Sequence, residues 1–415
     1  MSVLHQAGAS TLDGASYGYD LAGNRTSKTN YLNGVTEGYG YDLIYQLTQV
    51  TQGGSTTESY TYDAVGNRLS SLGVASYNYN TSNELTSTSN GSYTYDSNGN
   101  TLTDAAGRSY TWDFENRLIQ AVNPGVGTTT FKYDPFGRRI QKSGPLGTTN
   151  YLYDGKNTDA GLLEELDNSG NVVAHYAQNL DVDQPLAELR SGTISYYQQD
   201  ALSSVTSLSS GAGALADTYT YDAFGNLTAS SGSLANPYRF TGREFDLETG
   251  IYEYRHRYYD SSVGRFSSED PIGANGGLNF YRYVLNNPLK WSDATGLSAR
   301  DVQRIQKACH ACTKSLTDSG QRYNASDEWG GTWNDITSWW PWNKRTGCWN
   351  QAIMVKPCLD PNPLQPYDDT WTFNVVYWPI NNHVVRGNSS NPNDPDVVCD
   401  PWENQTWTSS KPRGR

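Results

Sequence analysis

Along the first two thirds of the chain, tyrosines alternate with small polar residues and then give way to a short turn. The unit stands as "YGYDLAGNR" at Tyr17, "YTYDAVGNR" at Tyr60, "YTYDSNGN" at Tyr93, "YTWDFENR" at Tyr110, "FKYDPFGRR" at Phe131 and "YTYDAFGN" at Tyr219. Tyr-x-Tyr has the period of two expected of a β-strand. Asp-x-x-Gly-Asn closes that strand, the aspartate bonding the following backbone and the glycine accepting positive φ. The "Arg-Leu-Thr/Ser" that follows starts the return strand. Asp20, Asp42, Asp63, Asp96, Asp113, Asp134 and Asp154 mark the turns. Between Asp63 and Asp96 a degenerate copy, "SYNYNTSNEL", puts Asn80 in the aspartate's place. Hairpins of this size cannot bury a face alone, so they must stack into a long coiled sheet.

Composition supports a β reading. The 415 residues leave room for two or more domains. A hydrophobic fraction of 36% is low, but 31 Tyr, 40 Gly and 13% aromatic residues favour strands with tight turns over disorder. Residues 298–415 hold twelve Lys/Arg and twelve Asp/Glu, so the whole excess of 13 negative charges lies in residues 1–297. An acidic β part speaks against nucleic acid as its partner, because phosphate binding needs clustered positive charge. The turn aspartates offer one carboxylate per unit, too few for a calcium loop, and no metal or cofactor is expected. No run of about 18 apolar residues is present, so no membrane span is expected. "MSVLHQAGAS" lacks the pattern of a Sec signal.

The chain changes character after Leu297. Ten of 12 Trp and all five Cys lie beyond it, against three of 31 Tyr, which marks a domain boundary.

The repeats resemble those of the Rhs/YD-repeat family. Residues 242–297, "GREFDLETGIYEYRHRYYDSSVGRFSSEDPIGANGGLNFYRYVLNNPLKWSDATGL", resemble that family's core segment. The resemblance implies a mainly β chain: a YD-repeat coiled β-sheet shell, or partial cocoon, over residues 1–241, the core segment at 242–297, and a small α+β C-terminal effector (toxin) domain at 298–415. It also implies that Arg257, Asp270 and Asp293 surround the bond between Leu297 and Ser298, where an aspartyl-type self-cleavage releases the effector. The chemistry stands by itself: of two carboxylates sharing one site, one keeps a proton as acid while the other activates water, and a guanidinium holds the ionised member. Ala294 departs from the family's usual Asp-Pro-x-Gly-Leu and removes a fixed φ beside Asp293. On pattern alone, Asp270 and Asp293 would be turn caps. His175 and His256 stand in strand-like surroundings as structural residues.

In the tail, Val302, Ile305, Ala308, Cys309 and Cys312 recur at helical spacing. Cys309-x-x-Cys312 without a second pair is a weak zinc signal. "RTGCWNQAIMV" sets Cys348 at the start of a second expected helix, where a thiolate is stabilised. His383 follows in the strand-like "TWTFNVVYWPINNHVVRG" and Asp400 in "PDVVCDPW". This order is similar to that of transglutaminase-like and papain-like cysteine enzymes, in which His383 would take the thiol proton and Asp400 would orient the imidazole. Gln351 and Asn382 are weaker candidates for oxyanion contacts. Five thiols permit two disulfides and one nucleophile, with Cys309–Cys312 and Cys358–Cys399 one pairing among several. The Trp-rich "DEWGGTWNDITSWWPWNK" reads as core, with sugar binding the alternative.

The function these resemblances imply is an Rhs-type toxin carrier in interbacterial competition, with a protease, deamidase or transglutaminase-like effector acting on a protein or peptide in the target cell. Its implied partners are a cognate immunity protein and a secretion apparatus, such as a type VI system, or an upstream Rhs/VgrG-type carrier. Synthesis in the bacterial cytoplasm and Sec-independent delivery follow. The alternatives are a nuclease effector and a non-enzymatic cell-surface repeat protein.

Overall fold

A computed structural model describes residues 1–155, 161–179, 184–273 and 277–297, together with the backbone of four later strands. Among the described residues there are strands, turns and short 3-10 segments, and no α-helix. The chain divides into two compact units, one of Met1–Pro271 with Leu278–Ser298 and the other of Ile272–Gly277 with Ala299–Arg415.

In the first unit each repeat strand pairs antiparallel with its chain neighbour. Seven strands run from Ser2–Ala7 to Arg68–Ser71, three from Tyr77–Tyr79 to Gly91–Ser92, and fourteen from Thr94–Tyr95 to Leu227–Ser231. The register slips just before the last aromatic of the unit, at Gly18/Tyr19, Gly40/Tyr41, Thr61/Tyr62, Thr111/Trp112, Lys132/Tyr133 and Thr220/Tyr221. A bulge bends its strand and raises the local twist. One at the same place in each of these hairpins coils the strip.

The turns close as their composition requires. Asp20 Oδ1 accepts from the Asn24 amide at 2.7 Å, and Oδ2 from Asn24 Nδ2 at 2.9 Å. Asp63 with Asn67, Asp96 with Asn100 and Asp222 with Asn226 repeat this arrangement. Asn80 takes the same role, its Oδ1 accepting from the amides of Ser82 and Glu84 at 3.0 and 3.1 Å. Three further turns, at Asp104, Asp167 and Asp200, make the same aspartate-to-amide bond without a preceding Tyr-x-Tyr. The turn after Asp154 differs, closing from the Asp154 amide to Gly161 O at 2.9 Å. The fourth turn residue has positive φ, as at Gly66 (+81°) and also at Tyr45 (+66°).

The two aromatics of a unit have different tasks. The first, as at Tyr17, Tyr60, Tyr110, Phe131 and Tyr219, is buried on the inner face. The second staples its hairpin to the preceding one: Tyr41 donates to Arg25 O at 2.7 Å, Tyr62 to Leu47 O at 2.8 Å, Tyr133 to Leu118 O at 2.7 Å and Tyr221 to Val205 O at 2.8 Å. Trp112 Nε1 does the same to Thr101 O at 2.7 Å. The stapled residue stands five places after the turn aspartate, and its own side chain is buried inside. Where it is an arginine it stacks on a ring, as Arg25 does on Tyr17 at 4.5 Å.

The strip curls until its early strands meet its late ones. His5 Nε2 meets Gln199 O at 2.8 Å, Ser207 Oγ donates to Asp13 Oδ2 at 3.0 Å, and the Ala223 amide donates to Glu58 at 3.1 Å. A cavity of about 240 Å³ lies at this seam, lined by Tyr17, Arg25, Tyr39, Glu58, Tyr219 and Asp222 among others.

The last part of this unit forms a four-stranded sheet, from Glu244–Asp246 through Ile251–Tyr254 and Arg257–Asp260 to Arg265–Phe266. It and the loops after it lie across the turn row. Lys290 Nζ donates to Ala22 O at 2.6 Å, Asn287 Nδ2 to Tyr45 O at 2.9 Å, Asn286 Nδ2 to Gly66 O at 2.8 Å and Tyr281 Oη to Gly99 O at 2.9 Å. Buried ion pairs add to this contact: Arg139 with Glu244 (2.6 Å) and Asp246 (2.5 Å), and Arg108 with Asp260 (2.9 Å). Tyr252, Tyr254, Tyr259, Phe266 and Tyr283 fill the interior beneath.

In the second unit, Trp371–Trp378, Asn382–Ser389, Asp396–Asp400 and Gln405–Ser409 make one antiparallel sheet in chain order. The two helices expected in the tail, Cys309, Cys312, Cys358, Gln351 and the Trp-rich segment lie outside the described residues.

Candidate self-cleavage site

Arg257 opens the strand Arg257–Asp260, whose four residues are all buried. Its guanidinium is wholly enclosed and engages on several sides. Nη2 lies 3.0 Å from Asp270 Oδ2 and 3.1 Å from Asp293 Oδ2, so one nitrogen spans both carboxylates. Nη1 donates to Phe280 O at 3.0 Å, Nε donates to Gly296 O, and the group lies 3.5 Å over the Phe266 ring. Burial pulls the Arg257 pKa below its ordinary value, against the opposing pull of Asp270 and Asp293. An arginine stays charged under any such shift.

Asp270 is placed by a bond from its own amide to Phe280 O at 3.0 Å. Asp293 begins a turn that it holds with one oxygen: Oδ1 accepts from the amides of Thr295 at 3.3 Å, Gly296 at 2.8 Å and Leu297 at 3.1 Å. Three backbone N–H donors and the Arg257 guanidinium thus converge on the Asp293 carboxylate. Gly296 has φ +76°, and a Cβ there would sit 2.5 Å from Tyr254 O. Only glycine lets the chain pass so close to this strand.

The structure therefore brings Arg257, Asp270, Asp293 and Leu297 together, while Ser298 lies outside the described residues. Ala294, where a proline was expected, leaves the turn closed by these bonds. Sequence reasoning missed Arg243, whose Nη1 donates to Ala294 O at 2.6 Å. It also missed the reach of His256, whose Nδ1 lies 3.0 Å from Thr295 O. The available signal was a charge set among aromatic residues, "TGREFD" and "YRHRYY", where a buried arginine needs a partner. His175 pairs with Glu164 at 2.8 Å on the repeat strip.

Of the residues assigned to the tail, Cys348 lies outside the described residues. His383 is in Asn382–Ser389, which Asn382 begins, and Asp400 ends the neighbouring strand. Val385 pairs with Cys399, so His383 and Asp400 fall at the same end of this strand pair. Among the described residues no group of three or more His, Cys, Asp or Glu is placed to hold a metal ion. Among them, too, no helix is long and apolar enough to cross a membrane, which says nothing of membrane β-barrels.

The sequence profile described as Teneurin YD-shell matches residues 9–289, which spans the repeats and most of the core segment. The chain belongs to this family. Among its relatives, the tRNA3(Ser)-specific nuclease WapA of Bacillus spizizenii is 35% identical over 289 residues, covering 68% of this chain and 11% of that protein. The double-stranded DNA deaminase toxin A of Burkholderia cenocepacia is 30% identical over 324 residues, covering 68% of this chain and 22% of its own length. This YD-shell chain thus spans between about a tenth and a quarter of these relatives. The solved TcdB2–TccC3–Cdc42 structure shares the fold, with a TM-score of 0.58 and 21% identity over 71% of this chain and 17% of that one.

Proposed function

We propose that this YD-shell chain carries a toxin effector in its C-terminal part and frees it by cutting itself between Leu297 and Ser298. The observation that carries the reading is Arg257 Nη2 spanning Asp270 and Asp293 while Asp293 Oδ1 accepts from the amide of Leu297. In this mechanism Asp293 fixes the turn through the amides it holds. Asp270 takes a proton from a water molecule as the water oxygen attacks the Leu297 carbonyl carbon. Collapse breaks the C–N bond, and the proton passes to the Ser298 nitrogen, leaving a Leu297 carboxylate and a Ser298 amine. The test is the intact mass of the purified chain. Two fragments meeting at Leu297/Ser298 are expected, with Asp293→Asn remaining whole. A wild-type chain that stays at 415 residues refutes the reading.

For the effector we propose a cysteine enzyme acting on amide bonds, with Cys348 as nucleophile, His383 as base and Asp400 orienting it. Its support is the residue order and the placement of His383 and Asp400 at one end of adjacent strands. Expression inside bacteria tests it: Cys348→Ala is expected to abolish toxicity, and full toxicity of that variant refutes it. The names of the nuclease and deaminase relatives favour a second reading, an effector acting on nucleic acid. Degradation or deamination of nucleic acid by the purified chain would select it. Delivery to a rival cell by a secretion system, and a cognate immunity protein, belong to the same proposal.

A further inference from the structure

Three amides and three carbonyls of the turn before Leu297 are held. The amides of Thr295, Gly296 and Leu297 all point at Asp293 Oδ1. The three carbonyls behind them each meet a different donor. Ala294 O accepts from Arg243 Nη1 at 2.6 Å, Thr295 O from the His256 amide at 3.3 Å and from its Nδ1 side at 3.0 Å, and Gly296 O from Arg257 Nε.

Arg243 is the costly member of this set. It is 2% exposed, follows the 3-10 segment Phe240–Gly242, and its guanidinium lies 5.7 Å from the Tyr254 ring. Burial, and then the nearby Arg255, lower its pKa to about 10. A surface carbonyl would be satisfied by water at far less cost than enclosing a guanidinium. What the enclosed charge does achieve is a short tether on the residue next to Asp293. Alanine at 294 leaves that backbone two soft torsions, and a displacement of a reacting group by about 1 Å costs on the order of 100-fold in rate.

We propose that Arg243 is a positioning residue of the self-cleavage site, fixing the Asp293–Leu297 turn through the Ala294 carbonyl. The inference rests on the self-cleavage reading above. Arg243 is not a catalytic residue in this account, since it acts through the turn.

The experiment follows release of the 298–415 fragment over time by intact mass in the full chain. It compares wild type, Arg243→Met, Arg243→Lys, Ala294→Pro and the Arg243→Met/Ala294→Pro double variant, with melting curves alongside. Arg243→Met is expected to slow release at least about 10-fold, with Lys recovering part of it. In the double variant, proline stiffens the turn without adding a hydrogen bond, so release is expected to return to within about 3-fold of wild type. Arg243→Met releasing at the wild-type rate overturns the proposal. So does a slow Arg243→Met that proline does not rescue, which would mark a general folding role. If the wild type is not cut, the self-cleavage reading fails, and amide exchange then decides the positioning role separately. Protection of Gly296 and Leu297 lost in Arg243→Met supports it; equal protection overturns it.

Discussion

Replacing Arg257 by methionine tests whether the buried charge pair is held by its cation. The substitution keeps an unbranched chain over the Phe266 ring and removes the donor that Asp270 and Asp293 share. Both carboxylates are 1% exposed at the side chain, so water cannot replace the guanidinium. Breaking such a pair from one side costs about 3 to 5 kcal/mol. Loss of the donors to Phe280 O and Gly296 O adds about 1 kcal/mol or more, partly recovered by relaxation. We therefore expect Arg257→Met to lose about 4 to 6 kcal/mol at pH 7. With an m-value of about 3 kcal/mol per molar, that moves the urea midpoint down by more than about 1 M. Urea is the right denaturant because it does not screen charge.

The sign of the pH effect distinguishes this cause from simple loss of packing. Without Arg257 the two carboxylates are buried beside each other with no cation to share, so taking up a proton relieves their repulsion. A raised carboxylate pKa gives stability that is full below the unfolded value and lost as pH rises through the folded one. The deficit of Arg257→Met is therefore expected to shrink towards pH 4. The triple variant Arg257→Met/Asp270→Asn/Asp293→Asn is expected to regain at least about 2 kcal/mol at pH 7, because the uncompensated charges are gone. A triple variant no more stable than Arg257→Met, with a deficit constant between pH 4 and 7, would refute the electrostatic account.

Two further outcomes follow from the shell. Tyr62→Phe removes one hydroxyl staple, that to Leu47 O at 2.8 Å, and is expected to cost about 1 kcal/mol in a urea titration; no change would mean that the staple is replaced by water. At the seam, burial and then Asp222 push Glu58 up from 4.5 to about 7. That contribution is full below about 4.5 and disappears as pH rises through about 7, amounting to no more than about 3 kcal/mol. Wild type is therefore expected to lose more stability between pH 5 and 8 than Glu58→Gln does, and parallel profiles would show that Glu58 does not titrate in this window.

The repeats were legible because their information is local. Tyr-x-Tyr followed by Asp-x-x-Gly-Asn states a strand, a turn and a return strand within nine residues. The aspartate does in the structure what its chemistry allows anywhere, as Asp63 and Asn67 show. Even Asn80 was readable as a substitute, since an amide oxygen accepts the same bonds. The turns at Asp104, Asp167 and Asp200 lack the preceding Tyr-x-Tyr, and at Asp200 Ser203 and Ser204 stand where the motif has Gly-Asn. Residue identity also made Asp270 and Asp293 candidates, through resemblance, although turn capping would have explained them equally well.

What the chain order could not state is which distant groups meet. That the second tyrosine reaches the carbonyl of the previous repeat depends on the offset between stacked hairpins, which the bulges at Tyr19, Tyr41 and Tyr62 create. The meeting of Glu58 with Ala223 depends on how far the strip curls, a sum of many small twists. The burial of Arg243 and its hold on Ala294 O exist only once Glu244–Asp246 and the final loop have packed over the turn row. A side chain's partners in sequence are set by covalent geometry. Its partners in space are set by the packing of everything between them, and only the tertiary structure decides that.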